Sequence, residues 1–220
     1  MPFLRRFFMK RIHIFLFLFV TCFILNGCGA QNPSDSGPEA KDHTTATGNA
    51  ILPESTITWF NTEYFNSGDG VNMRNMLLSS QYSTIADIDL FQLFYNGIPE
   101  VQLEISDEEK NTLVKSDEAA QHLDIIKITQ PMIDNFLQEY AGVNMDDTNQ
   151  VGLDQFIYLE EFDAYYLIHS DTNYARCNIV SGTESEGGYI LLDYEMNGRK
   201  GIVTLKNIEG DYRFISNVVK

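Results

Sequence analysis

Cysteine is scarce in this chain, which contains three in 220 residues. Cys22 and Cys28 lie near the N-terminus, so Cys177 is the only one beyond residue 28. A disulfide therefore cannot form within the region after residue 28, and no cysteine pair is available there for zinc or redox chemistry. Any domain in that region must be held together by packing and hydrogen bonds, which is feasible at this length.

Basic residues are also few, and acidic residues are missing from the N-terminus. The chain has 15 Lys and Arg against 31 Asp and Glu, and four of the basic residues but none of the acids precede Cys28. From Cys28 onward the formal charge is 11 − 31 = −20. Because phosphate binding requires a basic surface, nucleic acid is excluded as an expected partner. An acidic surface is compatible with a cation or a basic protein as ligand.

No apolar run reaches the roughly 20 residues of a transmembrane helix. The run over residues 14–25 has only Thr21 as a polar member, and it follows basic residues at positions 5, 6, 10 and 11. A basic segment followed by a short apolar one is typical of a signal peptide. Translation from Met9 instead of Met1 would retain this pattern.

The sequence Leu25-Asn26-Gly27-Cys28 resembles the lipobox of bacterial lipoproteins. The resemblance implies that the thiol of Cys28 carries diacylglycerol, that residues 1–27 are removed, and that Cys28 becomes the first residue. Two acyl chains are enough for stable anchoring, so the expected location is the outward face of the cell membrane. An ordinary cleaved signal and an N-terminal membrane helix are the alternatives.

Residues 29–52 are small and polar, with Pro and Gly but no aromatic residue. This composition predicts a disordered tether. The predicted organisation is a signal peptide over residues 1–27, the lipidated Cys28 with its tether over 28–52, and a single acidic domain over 53–220.

Helix signals occur four times in the first part of this domain. Ser106 followed by Glu109 is a capping box, which predicts a helix over residues 107–115. Asp87 and Thr129 are placed as N-caps of two further helices, ended by Gly97 and Gly142. The helix after Thr129 has one apolar stripe, formed by Met132, Ile133, Phe136, Leu137 and Tyr140. A fourth helix is predicted over residues 71–80.

Beyond Gly152 the apolar period changes to two, which is typical of strands. Six such runs cover residues 155–161, 163–170, 174–182, 188–196, 200–207 and 211–219. Asn197-Gly198 and Glu209-Gly210 are hairpin signals. The predicted fold is α+β, with N-terminal short helices packed on one face of a C-terminal antiparallel β-meander of about six strands.

Residues 162–177, FDAYYLIHSDTNYARC, most resemble a site. His169 and Asp171 are the catalytic candidates, as a base and its orienting acid. The alternative is a strand–turn–strand unit in which His169 packs at the mouth of a turn formed by Asp171 and Asn173. On the first strand, Ala164 and Tyr166 would then face opposite to Leu167 and His169, while Cys177 would be buried in the second.

No metal and no cofactor are expected. The acidic segment after Met145 fails the EF-hand pattern, because Val151 and Tyr158 occupy loop positions five and twelve. Glu160, Glu161 and Asp163 are interpreted as a solvated turn, with a glycosidase carboxylate pair as the alternative.

Residues 158–175 and 93–97, which read YLEEFDAYYLIHSDTNYA and LFYNG, are similar to segments of exported proteins of Gram-positive bacteria. Those proteins often read Tyr-Tyr-x-x-His-Gly-Asp-Thr-Asn, and here Ser170 replaces the glycine. The resemblance implies no activity and gives no residue a role. We expect binding or interaction at the cell envelope, with a protein, cation or polysaccharide as ligand. The alternative is a hydrolase of a wall or extracellular polymer.

Overall fold

The computed structural model describes residues 49–68, 72–99, 101–169 and 175–220. All of them belong to one compact unit, Thr45–Lys220. The α-helices are α1 Glu54–Trp59, α2 Met73–Met76, α3 Leu90–Leu93, α4 Asp107–Ser116 and α5 Gln130–Tyr140. The strands are β1 Ala50–Ile51, β2 Asp124–Ile128, β3 Ile157–Leu159, β4 Ala164–His169, β5 Asn178–Glu184, β6 Tyr189–Met196, β7 Arg199–Ile208 and β8 Asp211–Val219. The α+β class is confirmed. Within these ranges, no helix is long and apolar enough to cross a bilayer.

The large sheet is antiparallel and has the order β1-β5-β6-β7-β8. Asn197-Gly198 joins β6 to β7, and Glu209-Gly210 joins β7 to β8, so both predicted turns are confirmed. The four residues have φ values of 51°, 75°, 55° and 97°. Positive φ at both central positions gives the turn geometry that matches the twist of paired strands.

The short helices pack on one face of this sheet. In β6, Ile190, Leu192 and Tyr194 are buried, whereas Leu191 and Asp193 between them remain partly exposed. This alternation follows from the two-residue period of a strand. The buried side chains belong to the same core as those of α3 and α5.

The small sheet corrects the prediction of one continuous meander. β3 and β4 form a separate antiparallel sheet with β2, in the order β2-β4-β3. Because β2 and β3 occupy both edges of β4, β4 does not pair with β5, and the predicted strand–turn–strand unit around residues 170–174 is not a hairpin. The turn residues themselves, including Asp171 and Asn173, lie outside the described residues.

Strand β4 lies between two cores, as a central strand covered on both faces. Ala164 and Tyr166 belong to a small cluster with Leu113 of α4. Leu167, on the opposite face, belongs to the main core. Cys177, which lies just before β5, belongs to the same core. The predicted division of faces and the predicted burial of Cys177 are both confirmed.

Helix α3 begins later than predicted. Its N-cap is Asp89, whose side chain accepts a hydrogen bond from the Gln92 N–H at 3.0 Å. The carboxylate of Asp87 is used instead in a tertiary contact, accepting from Asn149 Nδ2 at 2.7 Å. Helix α2 is also much shorter than the predicted span of residues 71–80. The later start of α3 follows in part from the contact of Asp87 with the distant Asn149, which local capping signals do not contain.

Two predicted helices are confirmed. The capping box formed by Ser106 and Glu109 is present at the start of α4. Helix α5 follows Thr129, and Gly142 lies just after its end with φ of 75°. Its buried residues are Ile133, Phe136, Leu137 and Tyr140, which are four of the five members of the predicted stripe.

The end of the predicted tether belongs to the domain. Ala50 and Ile51 pair with Glu184 and Thr183 of β5, and Leu52 is buried. Strand pairing therefore begins at residue 50, three residues before the predicted start of the domain at residue 53. Composition alone predicted a tether here, because strand pairing across more than 130 positions leaves no local signal.

Along the edge of β5 that β1 does not cover, asparagine side chains form hydrogen bonds with the backbone. The Ile179 N–H donates to Asn61 Oδ1 at 2.7 Å, and Asn61 Nδ2 donates back to the Ile179 carbonyl at 2.9 Å. Asn66 Nδ2 donates to the Cys177 carbonyl at 2.7 Å. These amides take the place of a neighbouring strand, so the edge is not left open for association with other chains.

Candidate functional site

His169, the predicted base, is the last residue of β4 and is 6% exposed. Its ring meets that of Tyr95 edge-on, with centroids 5.5 Å apart. Its predicted partner Asp171 lies outside the described residues. A general base has to come within hydrogen-bond reach of its substrate, and the burial of His169 favours a packing role instead.

The described residues also form an open pocket of about 370 Å³, and His169 is not among its lining residues. Its lining residues are Ser55, Thr56, Trp59, Gly210 and Tyr212. The first three come from α1, and the other two come from the turn and strand of the β7–β8 hairpin. The pocket therefore exists only because the first helix packs beside the last hairpin.

Two aromatic rings dominate this pocket. Trp59 is 40% exposed, which is high for so large an apolar side chain. Its ring lies 5.8 Å from that of Tyr212, at an interplanar angle of 45°. Burial, and then the charge of Glu184, raise the pKa of Tyr212, so its phenol is neutral at physiological pH.

The two rings are fixed by an aromatic cluster beneath them. Phe60 is fully buried and meets Trp59 and Tyr212 edge-on, with centroids 5.0 and 5.4 Å away. Tyr64 donates a hydrogen bond to the Tyr212 carbonyl at 3.3 Å. Since both rings rest on buried neighbours, they present a preorganised surface, which lowers the entropic cost of binding.

A π-helical turn, Phe60–Tyr64, continues α1 and shapes this cluster. Phe65 N–H donates to the Phe60 carbonyl at 2.9 Å, which is the five-residue spacing of a π-helix. The wider turn places Phe60 and Tyr64 in the core while Trp59 remains at the surface. Such turns are rare and are often found at functional sites.

The pocket offers aromatic faces and neutral polar groups. Among the described residues that line it, none is Asp, Glu, His, Cys or Lys. Aromatic faces with nearby hydroxyl and backbone groups can hold a ligand by stacking and neutral hydrogen bonds. They do not supply an acid, a base or a nucleophile activated by one.

Among the described residues, the carboxylate with the largest pKa shift is that of Glu109, on the buried face of α4. Glu109 is 3% exposed and accepts hydrogen bonds from Lys127 Nζ, the Tyr166 hydroxyl and, at 2.7 Å, the Ser106 N–H. Burial alone would raise the pKa of Glu109, but these hydrogen bonds outweigh it and lower the pKa to about 2. Every partner comes from the fold itself, so the group is a structural ion pair.

The other predicted candidates are Cys177 and the acidic turn over residues 160–163. Burial raises the pKa of Cys177 to about 12, so its thiol stays protonated and unreactive. Glu160 and Glu161 lie exposed in a short 3₁₀ turn, and Asp163 follows it, which is the predicted solvated turn. In the described ranges, no group of three or more His, Cys, Asp or Glu side chains is arranged to hold a metal ion.

Sequence reasoning did not identify the pocket, because its two rings are far apart in the chain. Trp59 is followed by Phe60, Tyr64 and Phe65, and Tyr212 is followed by Phe214, all of them buried. The one available signal is that Trp59 is the only tryptophan in the sequence.

None of the family models, curated proteins and solved structures compared with this chain matches it. What the pocket binds must therefore be inferred from its own chemistry.

Proposed function

We propose that this protein is a lipid-anchored binding protein of the cell envelope that holds a saccharide in the Trp59–Tyr212 pocket. The observation that carries the proposal is the exposed Trp59 ring, set at an angle to Tyr212 and supported by buried aromatic residues. The apolar faces of a sugar ring can stack on such a surface. Ser55 and Thr56 supply hydroxyl groups for its polar edges.

The anchor part of the proposal is supported by the sequence, through the basic and apolar N-terminal segment and the Leu-Asn-Gly-Cys motif that ends at Cys28. The predicted tether after Cys28 lies almost wholly outside the described residues. A random coil of about 20 residues would span on the order of 25 Å. That length separates the binding domain from the lipid surface and lets it reach polymers of the envelope.

The hydrolase alternative depends on His169 and Asp171. No observation on the described residues favours it, since His169 is buried against Tyr95. Binding without turnover is therefore the function we propose.

Replacing Cys28 with Ala is expected to abolish acylation and to leave the precursor uncleaved, because the thiol is the acceptor of the lipid. Metabolic labelling with a radioactive fatty acid and the mobility of the protein on a gel measure both effects. Cys22→Ala is the matched control and should behave as wild type. Normal cleavage with membrane association in the Cys28 variant would contradict the anchor.

Replacing Trp59 with Ala is expected to weaken saccharide binding by about 2 kcal/mol, or roughly thirtyfold, because a central aromatic contact is lost. Isothermal titration of the full-length protein with solubilised glycan strands of peptidoglycan and with a neutral β-glucan measures the affinity. Tyr189→Ala is the matched control, since Tyr189 is similarly exposed, at 42%, on β6. Equal affinity of the Trp59 variant and wild type for every saccharide that binds would contradict the assigned pocket.

A further inference from the structure

A second exposed aromatic surface lies on the small sheet. Tyr158 of β3 and Tyr165 of β4 are directly opposite each other in the strand register. Their ring centroids are 4.8 Å apart and the rings are tilted by 40°. Tyr158 is 46% exposed, and Tyr165 is partly exposed. Tyr165 packs against the edge of the main core, whereas Tyr158 beside it is largely uncovered.

One carboxylate contacts this pair, and two more act on it electrostatically. The Tyr158 hydroxyl donates to Asp163 Oδ1 at 2.9 Å. Beside it lies the exposed Glu160, whose charge is among the causes that raise the pKa of Tyr158, after the hydrogen bond to Asp163. The charge of the exposed Asp146 contributes, after burial and Asp163, to the raised pKa of Tyr165.

The stretch of sequence that contains both tyrosines has no basic residue. Positions 128–175 contain nine Asp and Glu and neither Lys nor Arg. The tyrosine rings are therefore not covered by a cation of their own segment. By contrast, the exposed ring of Tyr189 on the large sheet already has Lys206 Nζ over it, 4.1 Å from its centroid.

We infer that the Tyr158–Tyr165 pair is the docking site for a lysine or arginine side chain of a basic protein partner. The electron-rich faces of the rings attract the cation, and attraction is stronger where water is partly displaced. Asp163 and Glu160 supply the opposite charge, which steers the partner toward the rings. This surface is formed by other elements than the Trp59–Tyr212 pocket, so it is independent of the saccharide proposal.

The test measures binding of a fluorescein-labelled hexa-arginine peptide to the full-length protein by anisotropy, at 0.15 and 0.5 M salt. Tyr158→Leu is expected to weaken binding about two- to fivefold at both salt concentrations, the range for a cation over an exposed ring. Tyr158→Phe keeps the ring face and should bind as wild type. Tyr189→Leu, a matched loss of an exposed tyrosine, should also bind as wild type.

Glu160→Gln is expected to weaken binding mainly at the lower salt concentration, because exposed charges are screened by salt. In the wild-type protein, the peptide should shift the ring proton resonances of Tyr158 and Tyr165 more than those of Tyr189, which tests the site without any substitution. Absence of binding would overturn the inference. Equal effects of Tyr158→Leu and Tyr189→Leu, or equal shifts of all three rings, would overturn it as well, since they would leave only general attraction to an acidic protein.

Discussion

Replacing Glu109 with Gln is expected to lower the free energy of unfolding by about 3–5 kcal/mol, the usual cost of removing one partner of a buried ion pair. The side chain of Lys127 is 16% exposed, so its ammonium would be left in a poorly solvated place without its carboxylate. Urea unfolding followed by circular dichroism measures the change. Glu108→Gln, on the exposed side of the same helical turn, should change stability by less than about 0.5 kcal/mol.

The same carboxylate predicts part of the pH dependence of stability. The pKa of Glu109 is about 2 in the folded state, below the value of about 4.3 expected in an unfolded chain. Its contribution is therefore fully present above about pH 5 and is lost as the pH falls toward 2. The stability of wild type should fall more steeply than that of Glu109→Gln over this range. Parallel curves, or a loss of under 1 kcal/mol at neutral pH, would contradict the assigned ion pair.

Replacing Asn217 with Ala is expected to destabilise the domain by about 2–4 kcal/mol. Asn217 is fully buried in β8, where its Nδ2 donates to the Ser80 carbonyl at 2.8 Å and its Oδ1 accepts from the Tyr194 hydroxyl at 2.9 Å. Ala would remove the partner of the buried Tyr194 hydroxyl and of the half-buried Ser80 carbonyl, at about 1–3 kcal/mol for each group. Urea unfolding measures the loss, with Ser216→Ala on the opposite, partly exposed face as the control.

A double-mutant cycle with Tyr194→Phe identifies the contact between the two side chains. Because Asn217→Ala already removes the partner of the Tyr194 hydroxyl, the double variant should be more stable than the sum of the two single losses implies. Strict additivity would show that the hydroxyl and the amide do not interact. A stability of Asn217→Ala within 0.5 kcal/mol of wild type would contradict the buried network as a whole.

Features that depend on neighbours in sequence were predicted well. The capping box at Ser106 and Glu109, the apolar stripe of α5 and the turn at Asn197-Gly198 all have their determinants within a few residues, and all are confirmed. The two faces of β4 were also predicted, since the alternation of its side chains needs only the strand period.

Features that depend on residues distant in the sequence were not predicted. The prediction missed β2, a run of five residues without a turn signal, and so placed β3 and β4 in the wrong sheet. Glu109 was recognised as a cap, but its pairing with Lys127 depends on the packing of α4 against β2. The Trp59–Tyr212 pocket joins residues 153 positions apart. No local sequence pattern predicts that these two rings lie side by side in the fold.

The central claim, that the domain binds through the Trp59–Tyr212 pocket, is tested most directly by the fluorescence of Trp59. This residue is the only tryptophan in the chain, so its emission reports the pocket without a label. Titration of the full-length protein with glycan strands of peptidoglycan and with a neutral β-glucan is expected to give a saturable change in emission with at least one of them, since stacking removes water from the indole ring. Tyr212→Phe, which keeps the ring, should retain this response. An emission that stays constant for both saccharides, or that stays constant while calorimetry shows binding, would contradict the account.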